Sequence, residues 1–205
     1  MTLTLDHIVV AAPSLEAGVD HVRELTGLEM GPGGEHPLMG THNRLLRLGA
    51  DSFLEVIAVN PDAPAPDRPR WFGLDQPVQK PHLAHWVLRC SDMTTMLPDM
   101  PGLLGPAIPV TRGDLSWLLT VPKDGYLPLD GAMPSILEWK ADPLPPTQMQ
   151  GGEAELLSLT VQHPDAAWIG AQLAARLIDP RIRFFPGPHF MAADLMIDGQ
   201  VVRLT

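Results

Sequence analysis

Cysteine and basic residues are scarce in this sequence. Its 205 residues include one cysteine, Cys90, which excludes an intrachain disulfide. Cys90 ends a predicted strand with no obvious base beside it, which indicates a buried small side chain and not a nucleophile. Lysine and arginine number 14 against 24 acidic residues, for a net charge of −10. That charge argues against nucleic acid or an anionic membrane as a partner, because both require a basic face.

Long apolar runs are also missing. No stretch is long enough to span a membrane, and the first residues lack the basic region and apolar core of a secretory signal peptide. We therefore expect a cytoplasmic protein. Apolar residues make up 45% of the sequence and charged residues 19%, a composition typical of a globular chain with a packed core. The 23 prolines and 18 glycines predict short elements joined by fixed loops.

What the sequence does contain is a repeated pair of polar residues in apolar strands. His7 and Glu55 lie in an early and a late strand of a first segment, and His85 and Glu138 lie similarly in a second. A single histidine in such a strand is usually packed or hydrogen-bonded. The recurrence, however, favours one divalent-metal site shared by the two segments. Imidazole and carboxylate ligands suit zinc, nickel, manganese, cobalt or iron.

The predicted elements group into three units of strand, helix and three strands, and so predict an α+β fold of repeated βαβββ modules. The third unit is degenerate, with Ser158 and Arg203 where the histidine and glutamate would be. The predicted ranges are 1–60 for the first module, 61–81 for a proline-rich connector, 82–141 for the second module and 153–205 for the third.

The hairpin before Glu55 decides which polar residues accompany it. A loop of residues 49–52 places Leu46 opposite Glu55, with His42 on the same face of the sheet. A slip of one residue places Asn43 there instead.

Three further features bear on the site. Trp71 and Phe72 lie in the connector, for which a surface linker is favoured over a lid. Arg112 flanks a turn in the second module and is either an anion contact or a solvated strand end. Trp117 is a candidate for the wall of an apolar pocket.

Several short motifs occur in an order that is similar to one known superfamily. They are Leu-Asp-His-Ile-Val (5–9), Gly-Gly-Glu-His-Pro (33–37), Gly-Thr-His-Asn (40–43), Phe-Leu-Glu-Val-Ile (53–57), Arg-Trp-Phe-Gly-Leu (70–74) and Ile-Leu-Glu-Trp (136–139). The sequence resembles the vicinal oxygen chelate superfamily, and within it the glyoxalase-like domain branch, related to glyoxalases, bleomycin resistance proteins and dioxygenases.

The resemblance implies paired βαβββ modules whose curved sheets close around a cavity. It also implies a metal held by one residue from each first strand and one glutamate from each last strand. Those positions are His7, Glu55, His85 and Glu138. If the first module paired with the third instead, His36 or His42 would be the next candidate ligands.

Three functions follow as hypotheses. The first is a metal-dependent lyase or isomerase acting on a small substrate with vicinal oxygens, with Glu138 or Glu55 as base. The others are a non-haem iron dioxygenase and a metal-free protein that binds or sequesters a small molecule. The odd number of modules favours a homodimer. The expected substrate contacts are His36, His42, Asn43, Arg112 and Trp117.

Overall fold

The computed structural model describes residues 2–205. The first unit comprises β1 (Thr4–Ala11), α1 (Leu15–Thr26), β2 (Gly31–His36), β3 (Thr41–Leu48) and β4 (Ser52–Val59). The second comprises β5 (His82–Arg89), α2 (Met93–Met96), β6 (Ala107–Arg112), β7 (Leu115–Thr120) and β8 (Ser135–Trp139). After α3 (Pro145–Gln148), the third comprises β9 (Ala154–Gln162), α4 (Ala166–Leu173), β10 (Ile182–Phe185), β11 (Phe190–Ile197) and β12 (Gln200–Leu204).

The strands form one mixed, curved sheet, and the predicted α+β class is confirmed. The order is β12-β11-β9-β3-β4-β1-β5-β8-β7-β6, with β2 beside β3 and β10 beside β9. The first and second units therefore join through their first strands, β1 and β5, which run antiparallel. Across the cavity, β2 lies against β6, since a Cβ added to Gly34 would come within 2.6 Å of Cδ of Arg112. The eight strands of these two units thus surround one cavity.

The third unit repeats the order of elements along the chain but not the strand order within the sheet. Its first strand, β9, lies between β10 and β11, whereas β1 pairs in parallel with the last strand of its unit, β4. Ser158 and Arg203 both bond to Asp194, at 3.0 and 2.7 Å. These three residues form a polar cluster, and none of them lines the cavity between the first two units.

Helix α1 covers the outer face of the sheet. Ser14 caps its first turn by accepting the amide hydrogen of Ala17 at 3.2 Å, and Gly27 ends it in the left-handed conformation with φ of 70°. Gly18 faces β4 so closely that an added Cβ would lie 2.4 Å from Val56. The helix therefore fixes β4 from outside and leaves its other face to the cavity.

Two hydrophobic cores lie on the two faces of the sheet. The outer core, under the helices, includes Ile8, Val10, Leu54 and Val56. The inner core surrounds the cavity and includes Val9, Ala11, Ile57, Trp71, Val87, Trp117 and Leu137. Cys90 is buried in the outer core, and burial raises the pKa of its thiol to about 11. Among residues 2–205, no helix has the length and apolar character needed to cross a membrane.

The β3–β4 hairpin has the second of the two predicted registers, the one that places Asn43 on the face of Glu55. Leu48 pairs with Ser52 and Leu45 pairs with Glu55, so the loop has three residues. Gly49 supplies the left-handed conformation such a loop needs, with φ of 68°. Because side chains alternate along a strand, Asn43 turns toward the cavity and His42 turns to the outer face.

Candidate active site

Glu55 is a buried carboxylate on the cavity side of β4. Its neighbours Leu54 and Val56 point into the outer core, so alternation directs Glu55 inward, where it is 6% exposed. Its Oε1 accepts a hydrogen bond from Nδ2 of Asn43 at 2.6 Å. Its Oε2 lies 3.5 Å from Nε2 of His7. Asn43 therefore orients the carboxylate through Oε1, and Oε2 is available to accept a proton.

Asp6 holds His7 in place. Oδ1 of Asp6 accepts a hydrogen bond from Nδ1 of His7 at 2.7 Å, and Oδ2 accepts one from Nε1 of Trp139 at 2.9 Å. Adjacent strand residues normally face opposite ways, but a register shift at Leu5–His7 lets both side chains meet here. Since the carboxylate accepts, Nδ1 carries the hydrogen and Nε2 is the atom presented to Glu55. The His7 ring also stacks on Phe53, with centroids 4.5 Å apart.

Asn43 connects Glu55 to two further residues. Its Oδ1 accepts hydrogen bonds from the amide of Gly34 at 2.8 Å and from Nη1 of Arg112 at 3.1 Å. That assigns the amide orientation and turns Nδ2 toward Glu55, with Nε2 of His36 at 3.5 Å. Burial, and next the positive charge of Arg112, lower the pKa of His36 to about 3. His36 is therefore neutral at physiological pH.

Arg112 is the cation of the site. Within residues 2–205 its guanidinium makes one hydrogen bond, to Asn43, and no ion pair. Its Cζ lies 5.9 Å from the ring centroid of Trp117. Burial lowers the pKa of Arg112, and the negative charge of Glu55 opposes that shift. Arginine has five N–H donors, so most of them remain free for an anion.

Trp71 and Phe72 form part of the cavity wall, which corrects the expectation of a surface linker. Both are buried, and their rings stack with centroids 5.4 Å apart. Phe72 holds a left-handed backbone with φ of 58°, a conformation that costs energy in a bulky residue. The indole Nε1–H of Trp71 is buried with no hydrogen-bond partner among residues 2–205. The two large rings are shielded from water because they pack against the concave face of the sheet.

The cavity itself is small, with a volume of about 30 Å³. A second, open groove of about 740 Å³ adjoins it, and the two share Phe53, Arg112 and Trp139 as a common wall. The cavity is lined by His7, His36, Asn43, Phe53, Glu55, Trp71, Phe72, Arg112, Trp117, Leu119, Leu137 and Trp139.

His85 occupies the position equivalent to His7. In the antiparallel β1–β5 pair, His7 faces Val87 and Val9 faces His85, so a local twofold axis relates the two histidines. Val9 lies beside Glu55, and Val87 lies beside Ser135. Ser135, and not Glu138, is thus the counterpart of Glu55.

Both ring nitrogens of His85 are occupied. Nε2 accepts the amide hydrogen of Ser135 at 3.1 Å and lies 2.9 Å from its Oγ. Nδ1 lies 3.3 Å from the carbonyl oxygen of Gly131. Burial lowers the pKa of His85 to about 3. His85 is a neutral, fully hydrogen-bonded core residue.

Glu138 lies on the opposite face of the sheet from Glu55. Its inward neighbours Leu137 and Trp139 flank it, so alternation directs the carboxylate to the outer face. There Oε2 accepts the amide hydrogen of Met93 at the start of α2, at 2.8 Å, and Oε1 pairs with Lys140. Glu138 therefore does not join the expected four-ligand site. It lies three residues after Ser135, the counterpart of Glu55, and an odd separation along a strand places a side chain on the opposite face.

The residues present do not fit the four-residue metal set that the family resemblance implies. His7 and Glu55 adjoin, but Ser135 replaces the second carboxylate and His85 has no free nitrogen. Among the described residues, no group of three or more His, Cys, Asp or Glu side chains is arranged to hold a metal ion.

Of the expected substrate contacts, the structure brings four to the cavity: His36, Asn43, Arg112 and Trp117. His42 is excluded by the hairpin register and lies against α1 on the outer face. Asp6 and Ser135 were not anticipated. A β-bulge places Asp6 beside His7, and the strand register places Ser135 beside His85. Neither feature can be recognised from a single sequence.

Comparison with known proteins supports the fold. A family model described as "Glyoxalase-like domain" matches residues 5–177. A hypothetical protein from Staphylococcus aureus is similar in structure, with a TM-score of 0.58 and 14% identity, over 99% of this chain and 84% of that one. No curated protein sequence matches.

Two methylmalonyl-CoA epimerases also align. A variant from Streptomyces coelicolor, in complex with 2-nitronate-propionyl-CoA, gives a TM-score of 0.47 and 18% identity over 69% of this chain and 97% of that one. The enzyme from Mycobacterium tuberculosis gives 0.45 and 16% over 68% and 88%.

Proposed function

We propose an acid–base function for this chain, which belongs to the glyoxalase-like domain family. In this proposal it is an isomerase or lyase that removes a proton from a carbon beside a carbonyl group of a small acid with vicinal oxygens. The observation that carries the proposal is the environment of Glu55. It is a buried carboxylate oriented by Asn43 at 2.6 Å, with His7 at 3.5 Å, on the wall of the small inner cavity.

Glu55 is the base in this reaction. Its carboxylate takes the proton, and the C–H electron pair moves onto the carbonyl oxygen to form an enolate. Arg112 supplies a positive charge to the enolate, and the unpartnered Nε1–H of Trp71 supplies a hydrogen-bond donor. Return of the proton to carbon completes an isomerisation, whereas loss of a leaving group from the next carbon completes an elimination.

His7 is the second proton-transfer group. Asp6 fixes its tautomer and leaves the unprotonated Nε2 beside Glu55. Nε2 can therefore take from Glu55 the proton that Glu55 has removed and give it back in the return step. The proposed reaction uses no metal ion, because the donor set does not fit one.

The test is hydrogen exchange in D₂O. A panel of 2-oxo and 2-hydroxy acids is incubated with the protein, and loss of the signal of the hydrogen beside the carbonyl group is followed by proton NMR. We expect exchange with at least one acid, and Glu55→Gln should abolish it. His42→Gln, on the outer face, is the matched control and should keep the wild-type rate.

Exchange that persists in Glu55→Gln would overturn the assignment of the base. Exchange that stops on treatment with a chelator and returns with a divalent metal would overturn the metal-free mechanism.

One alternative has its own support. The groove of about 740 Å³ beside Arg112 is large enough for a whole small molecule, which favours a metal-free protein that sequesters its ligand. Tight binding without any exchange, equal in wild type and Glu55→Gln, would identify that function.

A further inference from the structure

We infer that the substrate is an amphipathic monoanion, with a carboxylate bound at Arg112 and an apolar body lying in the outer groove. The inference rests on the proposed function for the reacting end of the molecule. It concerns binding, however, and binding is measured separately from proton exchange.

The two volumes place the parts of the substrate. The inner cavity, at about 30 Å³, has room for only one or two atoms. The groove, at about 740 Å³, lies in the range of sites that hold an entire small ligand. Since Phe53, Arg112 and Trp139 border both spaces, a ligand in the groove can extend one end to Glu55.

The charges of the groove select a single negative group. Arg112 is the only lysine or arginine among the described residues that line it. The guanidinium is half-buried on the common wall and makes one protein hydrogen bond. A carboxylate accepts two parallel N–H bonds from such a group. The one acidic side chain of the lining, Asp142, is exposed.

The rest of the groove is mainly apolar, with Gln148 and Gln150 as its uncharged polar side chains. Leu45 and Phe53 form part of one side and Leu115 and Trp139 part of another. Met149 contributes from the segment that follows the second unit, and its carbonyl oxygen is fixed by Nη1 of Arg47 at 2.8 Å. A polyphosphate or coenzyme A thioester would need several cations here, and the described lining holds one, Arg112. An alkyl or aryl chain fits the apolar part of the lining.

The experiment is a set of binding titrations, followed by calorimetry. The probes are acetate, hexanoate, decanoate, decanol and coenzyme A. We expect affinity to rise about three- to fourfold for each methylene that the groove buries, so decanoate binds most tightly. Decanol should bind at least about tenfold more weakly than decanoate, because it lacks the charge.

Two variants test the role of Arg112. Arg112→Gln should weaken decanoate at least about tenfold and leave decanol unchanged. Arg44→Gln removes the same charge at an exposed position of the outer face and should bind as wild type. Arg112→Lys, which keeps a charge, should recover part of the affinity, and circular dichroism checks that each variant is folded.

Equal binding of decanoate and decanol, no loss in Arg112→Gln, or tighter binding of coenzyme A than of decanoate would each overturn the inference. Arg112-dependent binding of acids without proton exchange would overturn the proposed function alone. Glu55-dependent exchange of short acids with no gain from chain length would overturn the inference alone.

Discussion

Glu55 and Glu138 lie in similar sequence motifs but face opposite sides of the sheet. Glu55 faces the cavity, where Asn43 orients it. Glu138 faces outward and receives the first amide hydrogen of α2, from Met93. Each is flanked by apolar residues, and the direction of a strand side chain depends only on its place in the register.

We therefore expect opposite outcomes from two matched variants. Glu138→Gln should keep wild-type exchange and lose stability, by about 1–2 kcal/mol, since a charge-assisted bond at the start of α2 weakens. Glu55→Gln should lose exchange with little change in stability. Urea unfolding and NMR exchange measure the two effects, and a loss of exchange in Glu138→Gln would contradict this assignment.

The sequence alone points to several residues that line this cavity. His7, Glu55, Asn43 and Arg112 were all candidates, because polar residues in apolar strands are conspicuous. The role of Asp6 could not be predicted, since adjacent residues in a regular strand face opposite sides and only the bulge brings Asp6 to His7.

Asp6→Asn tests the orientation of His7. An amide can present either an oxygen or an N–H to Nδ1, so the fixed tautomer is lost, and we expect exchange to fall at least about tenfold. Asp51→Asn is the control, because Asp51 contacts Arg89 at 2.7 Å, as Asp6 does at 3.5 Å, but has no contact with His7 in the described structure. Equal losses in both variants would show a structural effect of Arg89 and not an effect on His7.

At the scale of elements, the closure of β2 against β6 positions the cation. Gly34 on β2 leaves the space that the Arg112 stem occupies, since an added Cβ would lie 2.6 Å from its Cδ. In the sequence, Gly33 and Gly34 stand out only as part of the Gly-Gly-Glu-His-Pro motif, which does not indicate a strand. The glycine-rich strand β2 has no alternation of apolar and polar residues, so its pairing with β3 could not be predicted from the sequence.

Gly34→Ala should displace Arg112 and weaken the binding of decanoate several-fold, with no effect on decanol. Gly102→Ala is the control, because nothing lies within 4 Å of the Cβ that it would add and Gly102 does not line the groove. Calorimetry of both variants compares them, and equal affinities would contradict the proposed packing of Arg112.

The hairpin before Glu55 shows how a single residue limits prediction at this scale. A four-residue loop and a three-residue loop differ by one position, yet they exchange which of His42 and Asn43 faces the cavity. The strands themselves and α1 were predictable, because apolar patterning and the Ser14 cap are local signals.

For the molecule as a whole, two buried neutral histidines set a pH limit. Burial lowers the pKa of His36 and of His85 to about 3 from an ordinary value of 6.5. Above pH 6.5 these two histidines are mostly unprotonated in both the folded and the unfolded chain. Below it the unfolded chain binds a proton at each of them and the folded chain does not, so stability falls as pH decreases toward 3.

We expect a loss of roughly 1.4 kcal/mol per pH unit for each histidine in that window. Urea unfolding at pH 7.5, 6 and 5 measures it, and His85→Gln should reduce the slope by about half. Carboxylates such as Asp194, whose pKa Arg203 lowers from 3.8, respond only at lower pH. Constant stability from pH 7.5 to 5 would contradict the prediction.

The homodimer remains a prediction. Strand β12 ends the described sheet, and Val201 on it is 60% exposed, so a second chain has an edge to pair with. Light scattering at micromolar concentration should give twice the monomer mass. A monomer mass at this concentration would contradict the prediction that the unpaired third unit mediates dimerisation.

The replacement of a glutamate by Ser135 has a stereochemical consequence. A symmetric pair of carboxylates would allow a prochiral CH₂ group to be deprotonated from either side. In the proposed reaction the base stands on one side only, at Glu55, because Ser135 occupies the equivalent position, and Arg112 holds the acid group of the substrate. The protein should therefore be enantioselective. A 2-oxo acid with a CH₂ group beside its ketone would take up one deuterium in D₂O and emerge as a single enantiomer, with the other hydrogen untouched.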